Sequence, residues 1–379
     1  MSGAVSQRIR LQNLASTWKH FDFWLVGAVA LLIIFGITMI RSSVAGNIEL
    51  VELNLVQRQV IFALGGMVAM VAVAAVDYRL WASISRPLYV GTVIALAALT
   101  ILGAALFGSA RWFDTGVILI QPSEIAKIVL ILVLADYLTR NQHNIQKLAY
   151  VGRSLVLAML IVVPILLQPN LSTSIVMIVL WFALVWASGL RIRHLLLFIV
   201  SGIFLPIIAF PFLADYQQRR ILNFLFPDPN ARHGDIYNIQ QALISIGSGG
   251  LLGQGYGQGT QVQLRFLKVR WSDFIFSATA HEFGFIGTLA VILVLLFVIW
   301  RCLRAARLAS DTFGALIAFG VATMIAFQSI VNIGVNLNLM PATGLTLPFV
   351  SYGGSSLLSI MIGIGLVESV ILRHRSLEF

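Results

Sequence analysis

Long apolar runs, separated by short polar or basic stretches, occupy most of the chain. About ten of them, at 23–40, 60–76, 88–107, 125–138, 155–167, 171–188, 195–213, 274–300, 313–331 and 357–372, are read as membrane-crossing helices, for which roughly 20 predominantly apolar residues are needed. The pattern predicts an all-α integral membrane protein, with one long extracytoplasmic loop at 214–271 between helices 7 and 8. With no repeat and no low-complexity segment, residues 1–379 are taken as a single polytopic domain, 1–21 being a cytoplasmic N-terminus. The first run is longer than the about 7–15 residues of a signal-peptide core and many spans follow it, so it is expected to stay as an uncleaved helix.

Composition agrees: 59% of residues are hydrophobic and 11% charged, against roughly 25% charged in soluble domains. Orientation follows from the cations of the short loops. One set holds Arg8, Arg10, Lys19, Arg79, Arg86, Arg140, Lys147, Arg153, Arg191, Arg193, Arg301, Arg304, Arg307, Arg373 and Arg375; the other holds Arg41, Arg58 and Arg111. By the positive-inside rule both termini are cytoplasmic and the long loop is external. Topology and contact with lipid headgroups thus account for most of the net charge of +10, and no nucleic-acid partner is expected. The single cysteine, Cys302, excludes an intramolecular disulfide and a cysteine-based metal cluster.

The chemistry concentrates where the long loop re-enters the membrane. Asp273 stands there, preceded by Arg219, Arg220, Arg232, Arg265, Lys268 and Arg270, so a proton acceptor is set among cations able to hold an anion. A simple helix N-cap is the bland alternative for Asp273. The segment 236–246 reads as a short interfacial helix, and the glycines that follow, from Gly247 to Gly259, suit either tight turns or close backbone contact with phosphate. On the fourth span Ser123 is a candidate cap, and Glu124 and Lys127, three apart on one helix face, can pair, either as a packing lock or as functional groups. Pro164 implies a kink, Gln168-Pro169-Asn170 a tight hairpin, and the prolines, glycines and hydroxyls of 336–341 and 347–356 an irregular backbone lining a cavity. Glu282, about 13 Å along a regular helix and on its opposite side, does not readily share a site with Asp273.

A lone carboxylate restricts the reaction. Glycoside hydrolysis usually needs a second acid for a poor leaving group, whereas a pyrophosphate leaving group needs one base for the attacking hydroxyl and cations for the departing anion. Those cations are expected to lower the pKa of Asp273 until a bound anion neutralises them.

Arg111-Trp112, Gln121-Pro122-Ser123-Glu124-Ile125-Ala126-Lys127, Gly257-x-Gly259-Thr260-Gln261, Ser272-Asp273-Phe274-Ile275-Phe276, Glu282-Phe283-Gly284 and Leu347-Pro348-Phe349-Val350-Ser351-Tyr352-Gly353-Gly354-Ser355-Ser356 occur in this order along nearly the whole chain. Together they resemble the SEDS family (shape, elongation, division, sporulation), closest to its RodA-like elongation members, with FtsW-like division members the near alternative. The resemblance implies a peptidoglycan glycosyltransferase of the bacterial cytoplasmic membrane that polymerises lipid II on the outer face, for elongation and rod shape, by inverting transfer with undecaprenyl pyrophosphate as leaving group. It implies that Asp273 is the essential aspartate, that Glu124 and Lys127 are an intramembrane ion pair, and that Arg111 and Trp112 belong to the substrate site. Arg219, Arg220 and Arg265 are further candidates for the pyrophosphate, and Gln261 and Ser351 complete the expected substrate-binding set. A divalent cation, Mg or Mn, is an open possibility, though one carboxylate makes a weak site. The partners implied are a class B penicillin-binding protein, a transpeptidase, and other membrane proteins of the elongation complex. The chain departs from the family's habit at Asn170 and Ser172, where Asp and Gly are usual, at Trp271-Ser272, where His-Thr is commoner, and at His281, where Glu is commoner. Two other readings remain: a flippase for the lipid-linked precursor, with Glu124 and Lys127 along its path, and a non-catalytic scaffold.

Overall fold

The computed structural model describes residues 20–45, 53–107, 111, 113–114, 119–228 and 234–374. Among these, ten helices form the membrane-spanning body: α1 (Phe23–Val44), α2 (Leu55–Ala75), α3 (Tyr78–Phe107), α4 (Pro122–Arg140), α5 (Leu148–Leu167), α6 (Leu171–Ala187), α7 (Ile192–Ala209), α11 (Ile275–Leu308), α12 (Thr312–Asn336) and α13 (Gly354–Leu372). Between α7 and α11 lie α8 (Asp215–Leu225), α9 (Gly234–Gly249) and the single turn α10 (Thr260–Gln263). A two-residue antiparallel pair, β1 (Phe113–Asp114) with β2 (Leu119–Ile120), closes the link from α3 to α4. The chain is an all-α multi-pass membrane protein, as its hydrophobic pattern predicts. Several helices run past their apolar cores: α3 begins ten residues before the run at 88 and carries Pro87 inside it, and α11 continues to Leu308. A hydrogen-bonded backbone does not stop where side chains turn polar, so composition marks the lipid-exposed stretch and not the helix end.

Burial separates an inner set of helices from an outer one. α4, α12 and α13 pack against one another, and α4 is buried nearly all round, including Glu124 and Lys127. A helix apolar on every side belongs in the interior of a bundle. Leu64 and Val68 on α2, Ile94 and Ile101 on α3, and Leu293 and Leu296 on α11 are exposed and form a lipid-facing surface. α2 and α13 approach closely because of small residues: a Cβ added at Gly365 would lie 2.6 Å from the carbonyl oxygen of Met70.

α11 is broken at Gly284, whose φ of 65° and ψ of −162° interrupt the helix. The segment after α9 repairs the break. Gln254 and Gly255 donate their N–H groups to the carbonyls of His281 and Glu282 (2.9 and 3.0 Å), while Phe285 and Ile286 donate to Gly250 and Leu251 (2.9 and 3.1 Å). At Gly253, with φ of 83°, a side chain would collide with the Glu282 carbonyl. The glycine run therefore serves tight turns and close packing on α11; none of its residues lines the cavity around Asp273. Of the two uses the sequence left open for these glycines, the structure favours tight turns: N–H and carbonyl groups of the 250–255 backbone supply partners for a broken membrane helix. The helix expected at 236–246 is present within α9, which packs against α11.

Candidate active site

Asp273 precedes α11 without capping it. The N-cap is Phe274, which makes no side-chain cap, and the carboxylate of Asp273 accepts only the Ser272 hydroxyl (3.0 Å) among the described residues. The capping comes instead from another helix. Asn336, at the end of α12, accepts from the Ser277 N–H (3.1 Å) and hydroxyl (2.6 Å) with its Oδ1. Its Nδ2 donates to the Asp273 carbonyl (2.9 Å), which also accepts from Asn332 (3.1 Å). One buried amide thus satisfies an orphan N–H in the first turn of α11 and fixes the backbone of Asp273. Asn336→Leu is expected to cost about 1–3 kcal/mol, because it strands buried polar groups. Thermal unfolding checks this, and Asn336→Asp should recover less than half, since a carboxylate restores the acceptor but not the donor.

The carboxylate faces a cavity of about 510 Å³ lined by residues from distant parts of the chain. Arg58 comes from the first turn of α2, Arg111 from the α3–α4 link and Arg220 from α8; Glu124, Asn170, Gln328 and the 343–346 and 352–356 segments complete much of the wall. The polar, irregular backbone of 343–356, between α12 and α13, contributes to this cavity's wall and is stitched to its neighbours. The Ser351 hydroxyl donates to the Ser272 carbonyl (2.7 Å) and accepts from the Leu347 N–H (2.8 Å), and the Tyr352 N–H donates to the Trp271 carbonyl (2.9 Å). Gln59 reaches across from α2 to the Ser351 carbonyl (3.3 Å), and the Gln121 N–H donates to the Ser355 hydroxyl (3.1 Å).

The site residues expected from the sequence divide clearly. Asp273, Arg111, Arg220 and Glu124 meet in the cavity, and Lys127 lies behind Glu124, its Nζ 2.7 Å from the carboxylate. Arg219 is exposed on the neighbouring position of α8, Arg265 is exposed in a turn with φ of 65°, and Gln261 lies in α10; none lines the cavity. Ser351 is buried and engaged by backbone on both sides, so it positions the loop and not a ligand. Trp112 lies outside the described residues. Ser123 does not cap α4, whose N-cap is Gln121 with Pro122 in the first turn. Glu282 accepts the Ser42 hydroxyl and does not line the cavity around Asp273. Asn170 lines the cavity and caps α6 through the Thr173 N–H (3.3 Å), a role an Asn fills as well as an Asp.

Arg58 was legible as one of three cations in the short loops of the sparsely charged face, but nothing tied it to Asp273, 215 positions away. Gln59 and Asn332 stand just outside the apolar runs 60–76 and 313–331, and Asn336 opens the irregular 336–341 segment, but no local spacing links any of them to Asp273.

The electrostatics reverse one expectation. Burial raises the pKa of Asp273 above the usual aspartate value, and the Ser272 hydroxyl and the charge of Arg220 only partly offset it. The arginines are also less available than their number suggests. Arg111 donates Nε to the Gln168 carbonyl (3.0 Å) and a second nitrogen to the Pro169 carbonyl, and Arg220 pairs with Asp235 (3.3 Å). Such anchoring fixes the guanidinium groups before any anion arrives. Among the described residues no three His, Cys, Asp or Glu side chains cluster to hold a metal ion. Glu124 is engaged by Lys127, so a divalent cation in this cavity would rest on Asp273 and on oxygens brought by the substrate.

The cell cycle protein family FtsW/RodA/SpoVE matches the chain over residues 23–376. The peptidoglycan glycosyltransferase MrdB of Escherichia coli is 34% identical over 369 residues, spanning 97% of this chain and 98% of its own. A chain in a solved peptidoglycan synthase complex, which coordinates polymerization and crosslinking, has a TM-score of 0.77 at 31% identity, covering 93% of this chain and 97% of that one. Rod shape determining protein RodA of Thermus thermophilus has a TM-score of 0.69 at 29% identity, covering 94% and 98%. This chain belongs to the FtsW/RodA/SpoVE family, the SEDS peptidoglycan glycosyltransferases.

Proposed function

We propose that this protein polymerises a polyprenyl-diphosphate-linked disaccharide-peptide, lipid II, into glycan strands for cell elongation. Asp273 is the general base. The acceptor's 4-hydroxyl gives its proton to the Asp273 carboxylate as its oxygen attacks the donor's anomeric carbon. The bond from that carbon to the diphosphate oxygen breaks, the electron pair leaves with undecaprenyl pyrophosphate, and the single displacement inverts the centre. The observation that carries this reading is the juxtaposition of one half-buried carboxylate with Arg58, Arg111 and Arg220 in a single cavity. A raised pKa makes Asp273 a stronger base than an exposed aspartate. A second recess of about 150 Å³, which shares Arg111, Asn170, Arg220 and Thr343 with the first, supports space for two sugar-bearing ligands.

The distribution of short-loop cations supports cytoplasmic termini and an extracytoplasmic Asp273 in the bacterial inner membrane. Resemblance to a chain of a peptidoglycan synthase complex, and to MrdB and RodA, supports an elongation role alongside a class B penicillin-binding protein.

The test is reconstitution in vesicles with labelled lipid II. Polymer is the expected product; label crossing the bilayer without polymer assigns transport instead. Within that assay Arg58→Ala should lower the rate roughly 100-fold, the scale of losing one preorganised donor at a developing negative charge. Arg219→Ala, on the exposed side of α8, should stay within about threefold of the parent, because exposed charges are screened and contribute little. Equal losses in the two variants would remove the diphosphate from this cavity.

A further inference from the structure

We propose that a cleft between α3, α4 and α5 binds an anionic phospholipid of the leaflet opposite the Asp273 cavity. A cavity of about 920 Å³ opens there, lined by Arg86, Arg140 and Arg153 together with apolar residues that include Val90, Val133, Val156 and Leu157. It lies at the far end of α4 from Glu124. Asp136 and Arg140, both in its wall, are twelve and sixteen residues further on, about 18 and 24 Å along the axis at 1.5 Å per residue.

Its chemistry is that of a headgroup over an acyl chain. The tyrosine hydroxyls of the wall are already used: Tyr89 donates to the Leu157 carbonyl (2.8 Å) and Tyr137 to the Tyr150 carbonyl (3.0 Å). What remains is apolar surface, with the long arginine side chains able to hold their charged ends at the interface. Arg140 is neutralised by Asp136 (2.7 Å), whereas Arg86 and Arg153 form no ion pair among the described residues. Two uncompensated cations over an apolar cleft leave a small soluble anion without a match for the walls and a zwitterionic lipid without a match for the charge. Basic pockets between membrane helices select anionic headgroups for this reason. The leaflet follows from the orientation proposed above; the ligand chemistry does not depend on it.

Native mass spectrometry of the purified full chain in detergent, offered equal amounts of phosphatidylglycerol and phosphatidylcholine, tests the site. The parent should retain phosphatidylglycerol preferentially. Arg86→Gln with Arg153→Gln should weaken that binding about thirtyfold, the effect of two interfacial charges. Gly152→Phe fills the cleft with the charges intact: a Cβ there meets nothing within 4 Å, and the change favours the helix. It should abolish retention, and Val156→Phe replaces it if thermal unfolding shows that Gly152→Phe does not fold. Equal retention of both lipids by the parent overturns the proposal. So does undiminished binding in the cleft-filling variant, which would put the lipid on the outer surface of the bundle, or undiminished binding in the double arginine variant, which would make the charges irrelevant.

Discussion

Asp273→Asn should reduce polymerisation of lipid II by at least about 100-fold while leaving the protein as stable as the parent or more so. The loss follows from removing the base, which contributes about 10²–10⁴ where proton transfer is part of the barrier. The stability result follows from burial. Because the pKa of Asp273 is raised, the folded state holds the proton more tightly than the unfolded chain does. The stabilisation tied to that proton is present in full below the ordinary aspartate value and is lost as pH rises through the folded value. At neutral pH the ionised group therefore opposes folding, and a neutral amide of the same shape relieves it. Thermal unfolding should show Asn at or above Asp near pH 7, with the difference vanishing in acid. The parent's rate should in turn fall as pH drops through the raised value, at higher pH than an exposed aspartate would give. Full activity in Asp273→Asn, or a marked loss of stability near pH 7, would mean that the carboxylate holds structure and is not the base.

A carboxylate set at a cavity next to a membrane helix also shows what could be read from the sequence and what could not. Apolar runs placed the ten membrane helices, since lipid demands length and composition from each span independently. Asp273 and the Glu124–Lys127 pair were legible for the same reason, as charges where charge is costly. The site's walls were not. Arg58, Asn170, Gln328 and Thr343 converge because α2, α6, α12 and the 343–356 segment pack around one cavity, and no local spacing encodes that meeting. Proximity in sequence misled for Arg219, Arg265 and Gln261: on a helix or tight turn, adjacent residues point in different directions, so Arg220 enters the cavity and Arg219 does not. The glycines left two uses open, and the structure favours the first: freedom of the backbone serves tight turns and close approach to another backbone.

Lys127 is the second residue at which a large effect is expected. It is fully buried on α4, its Nζ 2.7 Å from Glu124, whose carboxylate is nearly buried and lines the cavity. Lys127→Met leaves that carboxylate without its counter-charge and should cost about 3–5 kcal/mol, the range for breaking one side of a buried pair. Glu124→Gln together with Lys127→Met should regain most of this, because two neutral side chains of similar volume avoid the desolvation that the pair incurs. Thermal unfolding of the single and double variants reads the difference. A buried pair that polar or apolar replacements match in stability has no reason in stability alone to exist, and this one places a carboxyl group in the wall shared with Asp273 and the arginines. The double variant should accordingly fold like the parent yet polymerise at least 100-fold more slowly, the lower end of what a group acting on the reacting centre contributes. If it instead recovers activity along with stability, Glu124 and Lys127 serve only to pack α4 into the bundle, and the cavity's chemistry falls to Asp273 and the three arginines without them.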